Sequence, residues 1–318
     1  MKDIFLLLIL LLAFASCKKS KSNASRSDNA IRLTNSAPLS SQNPVFSPDG
    51  HWILFTRFQQ YYNTGTAELV KMKTDGSSQQ VLISALDATN VNAPFGSWVG
   101  NKICYAAEKG STHDEIYMAN DDGTNEQRLT YNSTSSIFIE PVFNPANPNK
   151  IAFEIAPAQG NHQIALLEID SNSKITFLTD GSFNDAQPSW SKDGTKILFQ
   201  RQQSGATIWD MYWGDILLAS HSSLYNVRAI FQGMGDNTDL TWAKNDVFVL
   251  SSSNYGNLAA PNLFLFPTIG TGSPSRITNA NMQDGAASIS PDGTKIVFES
   301  HDASDENSPA EIWIIAAP

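Results

Sequence analysis

Pro44-Val-Phe-Ser-Pro-Asp-Gly-His-Trp-Ile-Leu-Phe55, Pro188-Ser-Trp-Ser-Lys-Asp-Gly-Thr-Lys-Ile-Leu-Phe199 and Ala287-Ser-Ile-Ser-Pro-Asp-Gly-Thr-Lys-Ile-Val-Phe298 are three copies of one pattern. Looser copies start at Gly96, Pro141 and Leu240. The large apolar residue before each turn marks the period: Phe46, Trp98, Phe143, Trp190, Trp242 and Ile289, spaced 45 to 52 residues apart. A repeat of this length means a radial or stacked β array. Within each copy a short strand runs into a tight turn, where Pro presets φ and Gly accepts the left-handed conformation. A second strand follows that is apolar and β-branched or aromatic, as in Ile53-Leu-Phe, and reads as buried on both faces. Third strands are expected at Glu68–Met72, Glu115–Met118, Gln163–Leu167, Thr207–Met211, Asn262–Phe266 and Glu311–Ile315. Turns such as Thr74-Asp-Gly76 and Asp121-Asp-Gly123 lead to fourth strands, among them Gln127–Thr130 and Ser275–Thr278.

Four antiparallel strands per repeat make a propeller blade. The sixth copy stops after its third strand, whereas Ala30-Ile-Arg-Leu-Thr34 is a fourth-strand sequence with no blade of its own. The stretch from Ala30 to Phe46 and the stretch from Ile289 to Pro318 together make one repeat length. The fold class expected is therefore all-β, a six-bladed β-propeller of four-stranded antiparallel blades. The N-terminal strand closes it by pairing with the last blade, which covers an otherwise open edge. The blades are placed at roughly 36–83, 84–130, 131–179, 180–232, 233–278, and 279–318 plus 30–35. An open solenoid would need capping repeats, and none is visible.

The repeat, with the Ile-Trp-x-Met and Arg-Leu-Thr segments that follow it, resembles the TolB-type propeller repeat over roughly residues 30–318. That resemblance implies an extracytoplasmic six-bladed propeller that acts mostly by binding. TolB carries a further N-terminal domain for which residues 1–29 leave no room, so its role in envelope translocation is not carried over. The prolyl-peptidase-like enzymes that share the repeat have a hydrolase domain with no counterpart here.

Ahead of the repeats, Ile4–Ala15 is an apolar run too short to cross a ~30 Å hydrocarbon core. It ends in Phe14-Ala-Ser-Cys17, which resembles a lipoprotein signal despite Phe14 at the position usually held by Leu. Residues 1–16 are read as a lipoprotein signal peptide, and 17–29 as a flexible tether from lipidated Cys17 whose basic residues rest on anionic headgroups. The localisation expected is the bacterial cell envelope, membrane-anchored and facing the periplasm or the cell surface.

Charged residues are 16% of the chain, and 21 basic against 31 acidic residues leave a net charge of −10. Nucleic acid is excluded as a partner, because phosphate binding needs a basic face. With Cys17 acylated, Cys104 is expected to be a lone buried thiol.

The loops before each first strand should ring the channel mouth: Asn43, Asn92, Glu140, Gln187, Asp239 and Asp284, with Asp185 and Asp236 just upstream. They make the mouth polar and acidic, able to focus a field on a cationic ligand or basic partner. The second-to-third loops add Arg57, Tyr61, Tyr62, Arg201 and Tyr255, suited to stacking on sugar rings and bonding hydroxyls. They also carry His113, His162 and His301. Without His-x-His or His-x₃-His spacing, these are read as loop histidines with no metal. There is no nucleophile elbow and no phosphate loop. The expectation is a monomeric ring, without cofactor, that binds an envelope protein or glycan and performs no catalysis. A lyase-like enzyme working on polysaccharide, using mouth carboxylates, Arg and His, and a structural subunit of an envelope assembly are the alternatives.

Overall fold

The computed structural model describes residues 26–86, 91–93, 97–110, 113–169, 173–216, 223–269, 272–305 and 307–318. Cys17 and the signal segment lie outside them. Among the described residues there is no helix, and the strands form six antiparallel sheets. Blade one is Ser40–Phe46, Trp52–Phe58, Ala67–Lys73 and Gln80–Ile83. Blade two has a split first strand, Val91–Asn92 and Trp98–Val99, then Lys102–Ala107, Glu115–Asn120 and Gln127–Arg128. Blade three is Ile137–Asn144, Asn147–Ala156, Gln163–Glu168 and Lys174–Phe177. Blade four is Asn184–Trp190, Lys196–Gln202, Asp210–Ile216 and Leu224–Phe231. Blade five is Asn237–Ala243, Phe248–Ser253, Asn262–Pro267 and Ser275–Arg276. Blade six is Gln283–Ile289, Lys295–His301 and Glu311–Ala316, completed on the outside by Ile31–Arg32.

Apolar clusters lie between adjacent blades all the way round. The cluster of Phe46, Ile53, Phe55, Val70 and Met72 with Val297 and Ile312 joins blade six to blade one. Second-strand rings are wholly enclosed at Phe55, Tyr105, Phe153, Phe199 and Phe298, as the apolar runs after each turn predict. One expected strand is displaced. The third strand of blade four begins at Asp210 rather than Thr207, because Ile208-Trp209 imitates the Ile312-Trp313 pattern three residues ahead of its true equivalent, Met211-Tyr212. Asp210 pairs with Arg201 in the ladder and accepts the Gly233 N–H at 2.7 Å.

The Ser-x-Asp-Gly turn is held by side chains as well as by glycine. Ser47 Oγ donates to Asp49 Oδ1 (2.6 Å) and accepts the Trp52 N–H (2.9 Å), while Asp49 also accepts the His51 N–H (3.0 Å). The same set recurs at Ser191/Asp193 and Ser290/Asp292. Gly50, Gly194 and Gly293 sit at φ of 73°, 69° and 72°, which side-chain-bearing residues rarely adopt.

Closure uses the same contacts that hold an outer strand within one repeat. In blade two the Glu115 carboxylate receives Arg128, the Thr130 hydroxyl and the Asn132 N–H, and the Ile116 N–H donates to Thr130. In blade six the Glu311 carboxylate receives Arg32 (2.8 Å), the Thr34 hydroxyl (2.6 Å) and the Ser36 N–H (2.8 Å), and the Ile312 N–H donates to Thr34 (2.8 Å). The register pairs Ile31 with Ile314 and Arg32 with Trp313. The Arg-Leu-Thr segment at the head of the chain thus docks as if it followed blade six in sequence.

Contacts with blade six are made ahead of the strand as well. Arg26, read as part of the tether, reaches into blade six. Its guanidinium forks onto Asp284 (3.1 and 2.7 Å), bonds Ser300 and lies 4.9 Å from the ring centres of both Phe298 and Trp313.

Glu311→Ala leaves the Ser36 N–H and the Thr34 hydroxyl without their acceptor, and should cost about 3 kcal/mol. Deleting 30–35 should cost more, and deleting 18–25 almost nothing. Urea melts of the three variants check this order; equal midpoints would refute closure as the stabilising element.

Candidate functional site

From blade two round to blade six and on to blade one, first strands of neighbouring blades touch one another, so they surround the axis. In five of the six, pairing with the second strand slips by one residue: between Gln42 and Val45, Ile139 and Val142, Ala186 and Ser189, Thr238 and Thr241, and Gly285 and Ser288. The slipped residues Asn43, Glu140, Gln187, Asp239 and Ala286 have φ of 52°, 55°, 50°, 55° and 45°. A bulge of this kind re-aims a side chain. Pro44, Pro141 and Pro188, which lack an N–H, follow three of the bulges on this axial edge.

Four of these side chains, Asn43, Glu140, Gln187 and Asp239, face a narrow axial cavity of about 40 Å³. A wider one of about 410 Å³ opens beside it, sharing Asn43 and Glu140 and adding Asn92 and Phe58. Glu140 Oε1 accepts from Asn92 Nδ2 (3.0 Å). Gln187 and Asp239 bond reciprocally: the Asp239 N–H donates to Gln187 Oε1 (2.9 Å), and Gln187 Nε2 donates to Asp239 Oδ1 (3.3 Å).

Two further carboxylates belong to the ring and were not anticipated. Glu154 and Glu299 occupy equivalent second-strand positions, and each reaches the next blade's bulge. Glu154 Oε2 accepts the Gln187 N–H (3.1 Å), and Glu299 Oε2 the Asn43 N–H (2.8 Å). Their other oxygens meet His162 Nδ1 (2.5 Å) and the Tyr62 hydroxyl (2.8 Å). A legible signal existed: an acid inside an apolar strand, as in Ala152-Phe-Glu-Ile155 and Val297-Phe-Glu299, must have a buried partner. The backbone also passes close to this group at Gly285. A Cβ there would lie 3.2 Å from Asp239 Oδ2 and 3.8 Å from Glu299 Oε1.

The carboxylates hold their protons unusually tightly. Burial, with the charge of Glu154 next, raises Glu140 to about 8. Burial also raises Glu299, to about 7, against the bond from Asn43 and with the charge of Asp239 adding to it. Asp239 is raised by the same cause. Glu299 drives the Tyr62 hydroxyl far above its ordinary value, and the bond to Glu154 raises His162. Among the described residues no Lys or Arg lies within ion-pair distance of Glu140, Asp239 or Glu299.

Other expected mouth residues have structural duties instead. Asp185 is buried under a two-pronged bond from Arg201 (2.6 and 2.8 Å), whose guanidinium packs on Phe183, Phe199 and Tyr212. Asp284 is held by Arg26, and Asp236 accepts the Trp209 N–H at 2.8 Å. Arg57 pairs with Glu68 and Gln79, away from the axis. Tyr255 is half-buried and meets Phe231, Phe264 and Phe266 in edge-to-face contacts, which tie it into the packing between blades four and five. Tyr61 is 52% exposed. His301 is buried against the Tyr62 ring at 4.3 Å, and burial lowers it. His113 stands half-buried in the second-to-third loop of blade two. Among the described residues no group of three or more His, Cys, Asp or Glu is placed to hold a metal ion. Cys104 is enclosed and unpaired, its thiol pushed up by burial.

No family model matches the chain, and no curated protein does. Solved structures share its fold. TolB from Acinetobacter baumannii superposes with a TM-score of 0.62 at 16% identity, over 85% of this chain and 65% of TolB. This chain therefore spans about two thirds of that protein. A gluconolactonase from Xanthomonas campestris gives 0.61 at 11% identity, over 92% and 91% of the two chains. Oligogalacturonate lyase from Vibrio parahaemolyticus gives 0.55 at 13%, over 92% and 95%. The class that fold and site define is a six-bladed, TolB-like propeller with an acidic axial mouth.

A carboxyl whose folded pKa is raised stabilises the fold fully below its unfolded value. That contribution is lost as pH rises through the folded value. For Glu140 the window runs from about 4.5 to about 8. Glu140→Gln should flatten the decline in Tm across that window and melt higher than the parent at pH 8.5. Parallel pH profiles for the two proteins would count against a protonated Glu140.

Proposed function

We propose that this chain is a lipid-anchored propeller of the bacterial cell envelope that binds a partner through its acidic mouth, without catalysis. Cationic groups on that partner, such as lysine side chains or amino sugars, are the feature recognised. The observation that carries the reading is that Glu140 and Asp239 line one axial cavity, with Glu299 bonded to the N–H of Asn43 in its wall and no basic counter-ion to the three among the described residues. Such groups keep their protons until a cation replaces them. Binding then releases protons, and little of the frame has to reorganise, because the bulges are already set.

The cell-envelope placement rests on the Ala15-Ser-Cys17 signal and on the fold shared with TolB. Cys17→Ala should move the protein from the detergent-extracted membrane fraction to the soluble one. Retention in the membrane would refute the anchor.

Calorimetry with a lysine-rich peptide, whose ammonium groups stay charged across the range, tests the mouth. Affinity should rise roughly tenfold from pH 6 to pH 8.5, as the carboxyls near 7 and 8 lose their protons. It should fall at least as far in Glu140→Gln/Asp239→Asn. Affinity independent of pH and of both substitutions would sink the proposal.

A second reading is supported by the Tyr62–Glu299 pair, a buried proton donor and acceptor at the mouth. In that reading the chain is a polysaccharide-processing, lyase-like enzyme; the similar protein from Vibrio parahaemolyticus is named as an oligogalacturonate lyase. Release of unsaturated products from polygalacturonate, abolished by Tyr62→Phe, is the result that would favour it.

A further inference from the structure

At the other end of the axis, on the face made by the Ser-x-Asp-Gly turns, lies a second and larger cavity of about 680 Å³. Its wall is Phe46, Trp98, Phe143, Trp190, Trp242 and Ile289, one residue from each blade at the repeat's marker position. In sequence these six mark the period of the repeat. In the structure they are wedged between blades by their faces and leave their inner edges around an open chamber.

The chamber cannot close by collapse. Trp190 Nε1 donates to the Val142 carbonyl (3.2 Å) and Trp242 Nε1 to the Ser189 carbonyl (3.1 Å), each on the first strand of the preceding blade. Both rings are only 6% exposed, so they are locked by packing as well. The polar groups near the wall are already committed. Ser47 and Ser290 serve their turns. Trp98 Nε1 and Ser189 Oγ lack partners among the described residues, but both atoms are sealed from the chamber. An occupant therefore meets more apolar than polar surface, and many of the polar groups there already have partners.

The rim selects against net charge. Lys192 and Lys244 are matched by Asp246 and Asp292. Lys192 Nζ is bonded to Asn245 (3.0 Å), and the Lys192 N–H donates to Asp246 (3.1 Å). Lys244 bonds the Pro318 carbonyl, and Asp292 is held by Ser290 and Thr294. A balanced rim with engaged charges has no strong field to offer an ion.

We propose that this chamber is a binding site for an uncharged, rigid, apolar ring compound, of roughly naphthalene to steroid size. Cavities of about 300–1,000 Å³ with mainly apolar and aromatic walls take small-molecule ligands. A preformed apolar chamber favours a rigid guest, since neither side pays much conformational entropy. The site is distinct from the acidic mouth, and does not depend on what the mouth binds.

The probe is N-phenyl-1-naphthylamine, neutral and fluorescent in apolar surroundings, titrated into the folded chain. Saturable binding of one probe per chain is expected, with energy transfer from the tryptophans of the wall. Ile289→Trp places in blade six the ring that three other blades carry at the same position. It should keep the parent's melting temperature and weaken binding at least tenfold. Val99→Trp, at a half-buried wall position, serves should that variant fail to fold. Lys174→Ala, on the outer strand of blade three and away from the chamber, should leave affinity unchanged. The proposal is overturned by no saturable binding, or by equal affinity in the filled variants. It is also overturned if an anionic naphthalene sulfonate binds where the neutral probe does not, or if sedimentation shows a second copy of the chain covering this face.

Discussion

A ring of sheets is stable only when its last sheet has no open outer edge and its first blade has a neighbour on both sides. In this chain both conditions rest on one set of contacts, the Glu311 carboxylate gathering Arg32, Thr34 and the Ser36 N–H at the outside of blade six. Each donor is nearly buried or charge-assisted, so the set is worth more than a surface ion pair. The apolar cluster between blade six and blade one forms beside it, with Leu33 and Ile314 packed against that cluster. Chain ends far apart in sequence thus become neighbours, and the non-local cost of joining them is borne by contacts already proven within blade two.

Once the ring is closed, equivalent positions of the repeat become equivalent positions around an axis. That converts a strand pattern into two concentric sites. One position, slipped out of register into a bulge, sends Asn43, Glu140, Gln187 and Asp239 into the mouth. Another, just before the turn, sends six large apolar residues to the opposite end. The two ends share a backbone plan and differ only in side chains. The first end is polar because bulge residues at positive φ are drawn from short polar types or stabilised by neighbours such as Asn92 and Glu154. The second is apolar because those residues must also seal the gaps between blades.

The fold was almost wholly legible before the structure, since period, turn chemistry and the orphan strand at Ile31 are all local or countable. The exception was the third strand of blade four, where Ile208-Trp209 presented a locally better match than the true Asp210 start. The candidate site was half legible. Asn43, Asn92, Glu140, Gln187 and Asp239 were placed near the axis from their position before each first strand. Asp185, Asp236 and Asp284 have the same composition and nearly the same position, yet they hold Arg201, a Trp209 N–H and Arg26. One residue of offset along a strand turns a side chain to the opposite face, and a bulge changes that count without any unambiguous sign in the sequence.

By itself, the sequence determined the number of blades, the strand that closes them, the identity of the turns and the acidic balance of the chain. These follow from short-range stereochemistry and from counting a repeat. Only the tertiary structure decided which carboxylates face the axis and which face an arginine, that Glu154 and Glu299 reach across to the next blade's bulge, and that the aromatic wedges leave a chamber. Each of those depends on register slips and inter-strand distances set by packing, between residues as near in the chain as Asp185 and Arg201 and as far apart as Asn43 and Glu299.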